Sequence, residues 1–144
     1  MAMIDTKIKL ANMAMVACLF TNDLKHIHLH ATGERFDTIH GVCNELYEEA
    51  NSEIDWFSER ALSLGMEIPN FADAKEKVVA WKPIEDSKIN WGMFVDYLDD
   101  IGNVYIGMLK NTKAENSGDQ SVIDGYIDYW NKAITYKNAA RKNN

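Results

Sequence analysis

Residues 24–40 read LKHIHLHATGERFDTIH and hold all four histidines of the 144-residue chain. How this stretch folds decides the reading of everything around it. His26, His28 and His30 alternate. On a β-strand that alternation sets three imidazoles on one face; on a helix, residues two apart point in nearly opposite directions. Upstream, Leu10, Met13, Ala17, Phe20, Leu24 and Ile27 recur at steps of three and four, the mark of one helix face. The spacing therefore predicts a helix over about residues 5–31, stopped by Gly33, and excludes an HxHxH chelate. At most two of these rings serve a common site.

Working outward, Phe36, Ile39, Cys43, Leu46, Tyr47, Ala50, Ile54, Phe57, Ala61 and Leu64 predict a second helix from about Glu34 to Leu64, ended by Gly65. MEIPNFADAKEKVVAWKPIED (66–86) carries both prolines of the chain and reads as a long crossover, with a short helix within FADAKEKVVAW. Asp86 or Ser87 is placed to cap a third helix through Trp91, Phe94, Val95, Leu98, Ile101, Tyr105 and Met108. ENSGDQ breaks it, and Ser117 with Gln120 has capping-box spacing before a fourth helix through Ile123, Tyr126, Ile127, Trp130, Ala133 and Ile134. The expected fold is all-α: a single ferritin-like four-helix domain over residues 1–144, its long connection between helices 2 and 3 joining neighbours that a tight turn cannot.

Apolar residues make up 47% and charged residues 26%, with a net charge of -7. An acidic chain is a poor partner for DNA, whose affinity comes from Lys and Arg on phosphate, but it attracts cations. MAMIDTKIK is too short and too weakly basic for a DNA-binding tail, and Lys137, Arg141 and Lys142 read as complements to a helix C-terminus. Cys18 and Cys43 match no zinc spacing and read as buried thiols of a reducing compartment. Lys7 and Lys9 before LANMAMVACLF have some look of a secretory leader, but Asn12 interrupts the run and the helical phase continues beyond Cys18. The expectation is a mature, cytoplasmic chain without a membrane span.

The second helix also carries hard ligands. Asp55 and Glu59 are four apart and share a face. His40 lies fifteen residues before Asp55, about 22 Å of helix, on roughly the same side. One chain cannot bring His40 and Asp55 to one ion. Two antiparallel copies crossing near Glu48 and Glu49 can, setting His40 of one beside Asp55 and Glu59 of the other, twice by symmetry.

The pattern His28-x4-Gly33-x2-Phe36-x3-His40, then Leu46-Tyr47-Glu48-Glu49, Ile54-Asp55 and Ser58-Glu59-Arg60-Ala61-Leu62-x-Leu64-Gly65 resembles the signature of the Dps family, mini-ferritins that protect DNA by oxidising iron. The resemblance implies an iron-oxidising centre between two subunits, formed by His28 and His40 of one chain with Asp55 and Glu59 of its mate. It implies oxidation of Fe(II) by hydrogen peroxide or dioxygen, no organic cofactor, and ferric storage in a hollow homo-oligomer of twelve chains built from two-fold dimers. It also implies that Asp119, Asp124 and Asp128, at the start of the fourth helix, line a threefold pore for iron. Two positions depart from the family pattern. Asn44 stands where an Asp is usual one turn beyond the second histidine, offering an amide oxygen without charge. Leu29 stands where a Trp is usual. The competing reading is a structural or DNA-compacting oligomer with a vestigial metal site. An intra-bundle di-iron centre lacks its pair of Glu-x-x-His motifs; the nearest sequence is Asp37-x-x-His40.

Overall fold

The computed structural model describes the backbone of residues 2–142 and the side chains of residues 6–142. The first five side chains of MAMIDTKIK lie outside the described residues. Two long helices, α1 (Ala2–His30) and α2 (Phe36–Ser63), lie against each other along their length. A 3₁₀ turn (Phe71–Asp73) and one short helix, α3 (Ala74–Lys77), punctuate the crossover. Helix α4 (Trp91–Lys110) and helix α5 (Ser117–Trp130) complete the bundle, α5 continuing through a π turn (Asn131–Tyr136) into α6 (Lys137–Lys142). Among the described residues there is no strand, and no helix is long and apolar enough to cross a membrane.

The helix ends show where local signals meet tertiary demands. Helix α1 stops at His30, because the His30 carbonyl accepts from the Ile89 amide (2.8 Å) while the Thr32 amide donates to the Ile89 carbonyl (2.8 Å). Gly33, at φ 94°, then turns the chain into α2, and Gly65, at φ 88°, turns it out again; both lie in the left-handed region that suits glycine. The same bridge through Ile89 delays the third long helix. Its cap is Asn90, which accepts from the Met93 amide at 3.0 Å, rather than Asp86 or Ser87. Helix α5 is capped by Asn116 instead of Ser117, and the Gln120 side chain accepts from the Ala114 amide (2.8 Å), so the expected Ser117–Gln120 box does not form.

Phe20 of α1 is the hub of the core. It is fully buried, stacks on Tyr105 of α4 (centroids 4.2 Å apart) and takes the edges of Trp130 (4.8 Å) and of Trp81 from the crossover (6.2 Å). Cutting such a ring back to Ala typically costs about 3–5 kcal/mol. Beside it sits Glu53 of α2, also fully buried. Its carboxyl accepts from the Tyr105 hydroxyl (2.8 Å) and the Trp130 indole (2.8 Å). Three helices are thus joined through one side chain. The inward register of α2 runs through Ala50, Glu53 and Phe57, while Ile54, expected in the stripe, is half-buried.

A second buried carboxylate, Asp23, fastens the crossover to α1. It accepts from the Trp81 indole (2.8 Å) and the Ile84 amide (3.1 Å). At the far end, Gly102 of α4 leaves room for Ile134 in the π turn: a methyl group at position 102 would lie 2.6 Å from that side chain. Buried Asn138 donates to the Val95 carbonyl (3.0 Å) and Asp99 (3.0 Å), Arg141 donates to Asn138 (2.7 Å), and Lys142 pairs with Asp99. Arg141 and Lys142 of the basic cluster therefore tie the C-terminal segment to α4.

Burial, reinforced by a hydrogen bond with Glu49, pushes the Glu53 carboxyl up to about 10. Below the ordinary carboxyl range it is protonated folded or unfolded and adds no pH dependence. Between that range and about 10 the unfolded chain releases its proton and the folded chain retains it, so each unit of rising pH favours unfolding. Glu53→Gln, which cannot ionise, is expected to gain stability over wild type as pH rises from 5 to 9. Denaturant melts across that range check it; a constant difference would show that Glu53 ionises freely in the fold.

Candidate metal centre

His28 lies in the last turn of α1 and His40 in the first turns of α2, so the loop through Gly33 folds them onto each other. Their rings stack with centroids 3.7 Å apart. Each ring also grips the other residue's backbone: His28 Nδ1 donates to the His40 carbonyl (2.9 Å) and His40 Nδ1 donates to the His28 carbonyl (3.0 Å). A carbonyl oxygen only accepts, so both rings carry hydrogen on Nδ1, which leaves Nε2 of each as the nitrogen not engaged with backbone. Backbone carbonyls commonly orient metal-binding histidines this way. Phe36 stacks at 5.2 Å on His40.

Helix α2 is unbroken from Phe36 to Ser63, so its rise holds and Asp55 lies about 22 Å along the rod from His40. Asp55 and Glu59 are exposed, and among the described residues neither makes an ion pair or side-chain hydrogen bond. The two cations nearest in sequence are engaged elsewhere: Arg60 pairs with Asp119 at 2.8 Å, and Lys25 lies over the Tyr47 ring at 4.6 Å. Among the described residues, no three His, Cys, Asp or Glu side chains of one chain converge as a metal-binding group. The chain thus presents two half-sets, an imidazole pair at one end of α2 and a carboxylate pair near the other.

Asn44, exposed one turn after His40, donates its amide to Glu48 (3.4 Å), which leaves its oxygen free. Leu29 is 62% exposed beside His28. Trp56 is half-buried and meets Phe57 (5.2 Å) and Tyr126 (5.9 Å) edge-on. His26 and His30 form a separate stacked pair, as the helical phase requires. Of the three aspartates around the start of α5, Asp119 is neutralised by Arg60, Asp124 accepts from Gln120 (2.8 Å), and Asp128 pairs with exposed Lys132 (2.9 Å). Cys18 and Cys43 are free and buried, and burial raises both thiols, Cys43 to about 12, so neither is a ready thiolate.

The bundle centre has a different character. Its buried carboxyl, Glu53, accepts from Tyr105 and Trp130 and has Glu49 of the same helix beside it, and among the described residues no third His, Cys, Asp or Glu joins them. Sequence reasoning missed Glu53 and Asp23. The three-and-four rhythm Ala50, Glu53, Phe57 was the available signal for the first.

No protein-family model matches the sequence, and neither does any curated protein. Solved structures do match. An N-terminal deletion mutant of Dps from Mycobacterium smegmatis superposes with a TM-score of 0.88 at 17% identity, covering 96% of this chain and 95% of that one. Antigen TpF1 from Treponema pallidum gives 0.85 at 21% identity over 98% and 94% of the two chains. The Dps protein from Vibrio cholerae O1, described as a member of a broad superfamily of ferritin-like diiron-carboxylate proteins, gives 0.83 at 19% over 96% and 89%. At these identities the likeness establishes architecture: the chain has the ferritin-like four-helix fold of Dps proteins.

Proposed function

We propose that this chain, folding as one domain, is a mini-ferritin that takes Fe(II) as substrate at sites shared between two copies. The observation that carries this reading is the reciprocal bonding of His28 and His40, which orients two imidazoles and leaves a free Nε2 on each. The second half of the site is Asp55 and Glu59 of the other copy, with the Asn44 oxygen in reach of water or metal. An antiparallel crossing of two α2 helices near Glu48 and Glu49 unites the halves. The same register sets exposed Leu62 of one copy opposite Phe36 of the other, covering apolar surface that a lone chain leaves in water.

Imidazole and carboxylate ligands together suit borderline divalent ions and leave positions open for an oxidant. Hydrogen peroxide is the oxidant that best fits a protective role: two Fe(II) ions each give one electron, and the peroxide is reduced to water. Dioxygen is the other candidate. Ferric product collects in a hollow shell of twelve chains. Iron reaches the interior past Asp119, Asp124 and Asp128; Arg60 and Lys132, paired with Asp119 and Asp128, reduce the field that those two supply. The buried free thiols fit the reducing cytoplasm. The acidic charge disfavours DNA as a partner. A second reading, a structural or DNA-compacting oligomer with a vestigial metal site, is favoured by Asn44, which removes one negative charge from the ligand set.

Light scattering is expected to give a particle of twelve chains; a monomer has no complete site and would end the proposal. Anaerobic Fe(II) loading followed by peroxide is expected to show oxidation that falls at least about tenfold in His40→Ala and in Glu59→Ala, as loss of an oriented ligand should. Refolding those two variants together restores about a quarter of the sites, since half the dimers are mixed and each mixed dimer has one intact site. Equal rates for wild type and both variants would support the structural reading instead.

A further inference from the structure

Arg141 of α6 is half-buried, in a chain with 22 acidic side chains, yet among the described residues it makes no ion pair. Two nearby cations do pair, Lys132 with Asp128 and Lys142 with Asp99. The Arg141 guanidinium commits one nitrogen to its own segment: Nη1 donates to the Asn138 side chain (2.7 Å) and to the Ala133 carbonyl (3.5 Å). Among the described residues Nε and Nη2 make no hydrogen bond. Burial lowers the guanidinium from its ordinary value, opposed only by the Cys43 thiol. A partly desolvated cation without a carboxylate is costly, and the complement it lacks is an anion.

Arg141 lines a cavity of about 390 Å³ between α2 and α5, a size that suits a small molecule. One wall is Val42 and Leu46 of α2. The other is Gly125, Tyr129 and Ala133, which follow one another at four-residue steps along α5 and into the π turn. Gly125 keeps the space open: a methyl group there would meet nothing within 4 Å. The same series continues into Lys137 and Arg141, so the apolar wall runs into two cations. Lys132 and Asp128, also on the rim, are paired with each other at 2.9 Å, which leaves Glu45 as the remaining carboxylate of the lining. The rim thus favours an anion, although the chain as a whole carries a net charge of -7.

The geometry points to a binding site for a small organic carboxylate, its head on Arg141 and Lys137 and its flat apolar body in the slot between α2 and α5. Nε and Nη2 form the side of a guanidinium that grips a carboxylate with two parallel hydrogen bonds, and here that side is unoccupied by protein. An inorganic anion would satisfy the charge but leave the walls at Val42, Leu46 and Ala133 in water, so the apolar body decides for an organic ligand. The site needs one chain only and does not depend on the iron reading.

The test uses the full-length protein and isothermal titration calorimetry with β-naphthoate as the probe. Its neutral analogue β-naphthylmethanol and inorganic phosphate are run alongside. One naphthoate per chain is expected, with the alcohol at least about tenfold weaker and phosphate failing to displace the naphthoate at equal concentration. Arg141→Gln is expected to weaken naphthoate at least about tenfold. Gly125→Leu places a side chain in the open slot and is expected to abolish binding. Leucine suits a helix better than glycine, so this variant is expected to melt no lower than wild type, which separates loss of the site from loss of the fold. No saturable binding at millimolar naphthoate, equal affinity for the alcohol, displacement by phosphate, or naphthoate binding that Gly125→Leu and Arg141→Gln leave unchanged overturns the assignment.

Discussion

The structure turns on one buried carboxyl. Glu53 sits at the centre of the bundle and accepts from Tyr105 of α4 and Trp130 of α5, both of which also touch Phe20 of α1. A charged carboxylate in that position is costly, and the carboxyl keeps its proton well above the ordinary range instead. It is satisfied by two donors from two other helices, so it locks the relative rotation of three helices. Apolar packing alone tolerates sliding; hydrogen bonds to a fixed carboxyl do not.

Filling the centre in this way has a chemical consequence. The space between helices is occupied by stacked rings and one neutral carboxyl, so ligands for a cation gather on the outer surfaces of α1 and α2. There the loop through Gly33 performs the decisive local act. It folds the end of α1 back onto the start of α2 closely enough for His28 and His40 to bond each other's carbonyls. Two side chains distant by helical phase from their nearest histidine neighbours become a preorganised pair. The opposite end of α2 supplies carboxylates that meet no cation among the described residues, because Arg60 and Lys25 are drawn to Asp119 and Tyr47.

The crossover is the other organising element. Asp23 holds Trp81 and the Ile84 amide, His26 holds the Asp86 carbonyl, and Ile89 bridges to His30 and Thr32. Asp86 and Ile89 are thereby held against the end of α1 before α4 begins. That explains why the helix starts later than its first capping residue suggests.

What the sequence determined by itself is what depends on spacing along one chain: four long helices, glycines at both turns of positive φ, a long crossover with a short helical element, the helical separation of His26 and His30 from His28, and the distance that keeps His40 from Asp55. These follow from 3.6 residues per turn and 1.5 Å per residue. Tertiary structure decided what depends on which groups reach one another across the chain. Asn90 and Asn116 won the caps from their neighbours because docking set where each helix could start. Ile134 settled against Gly102 at a π turn, and Glu53 replaced Ile54 on the inward face, because Tyr105 and Trp130 arrived to bind it. The histidine tautomers belong to the same class. A ring's proton is set by the carbonyl it meets, and that carbonyl arrives through packing, which no periodicity along the sequence records.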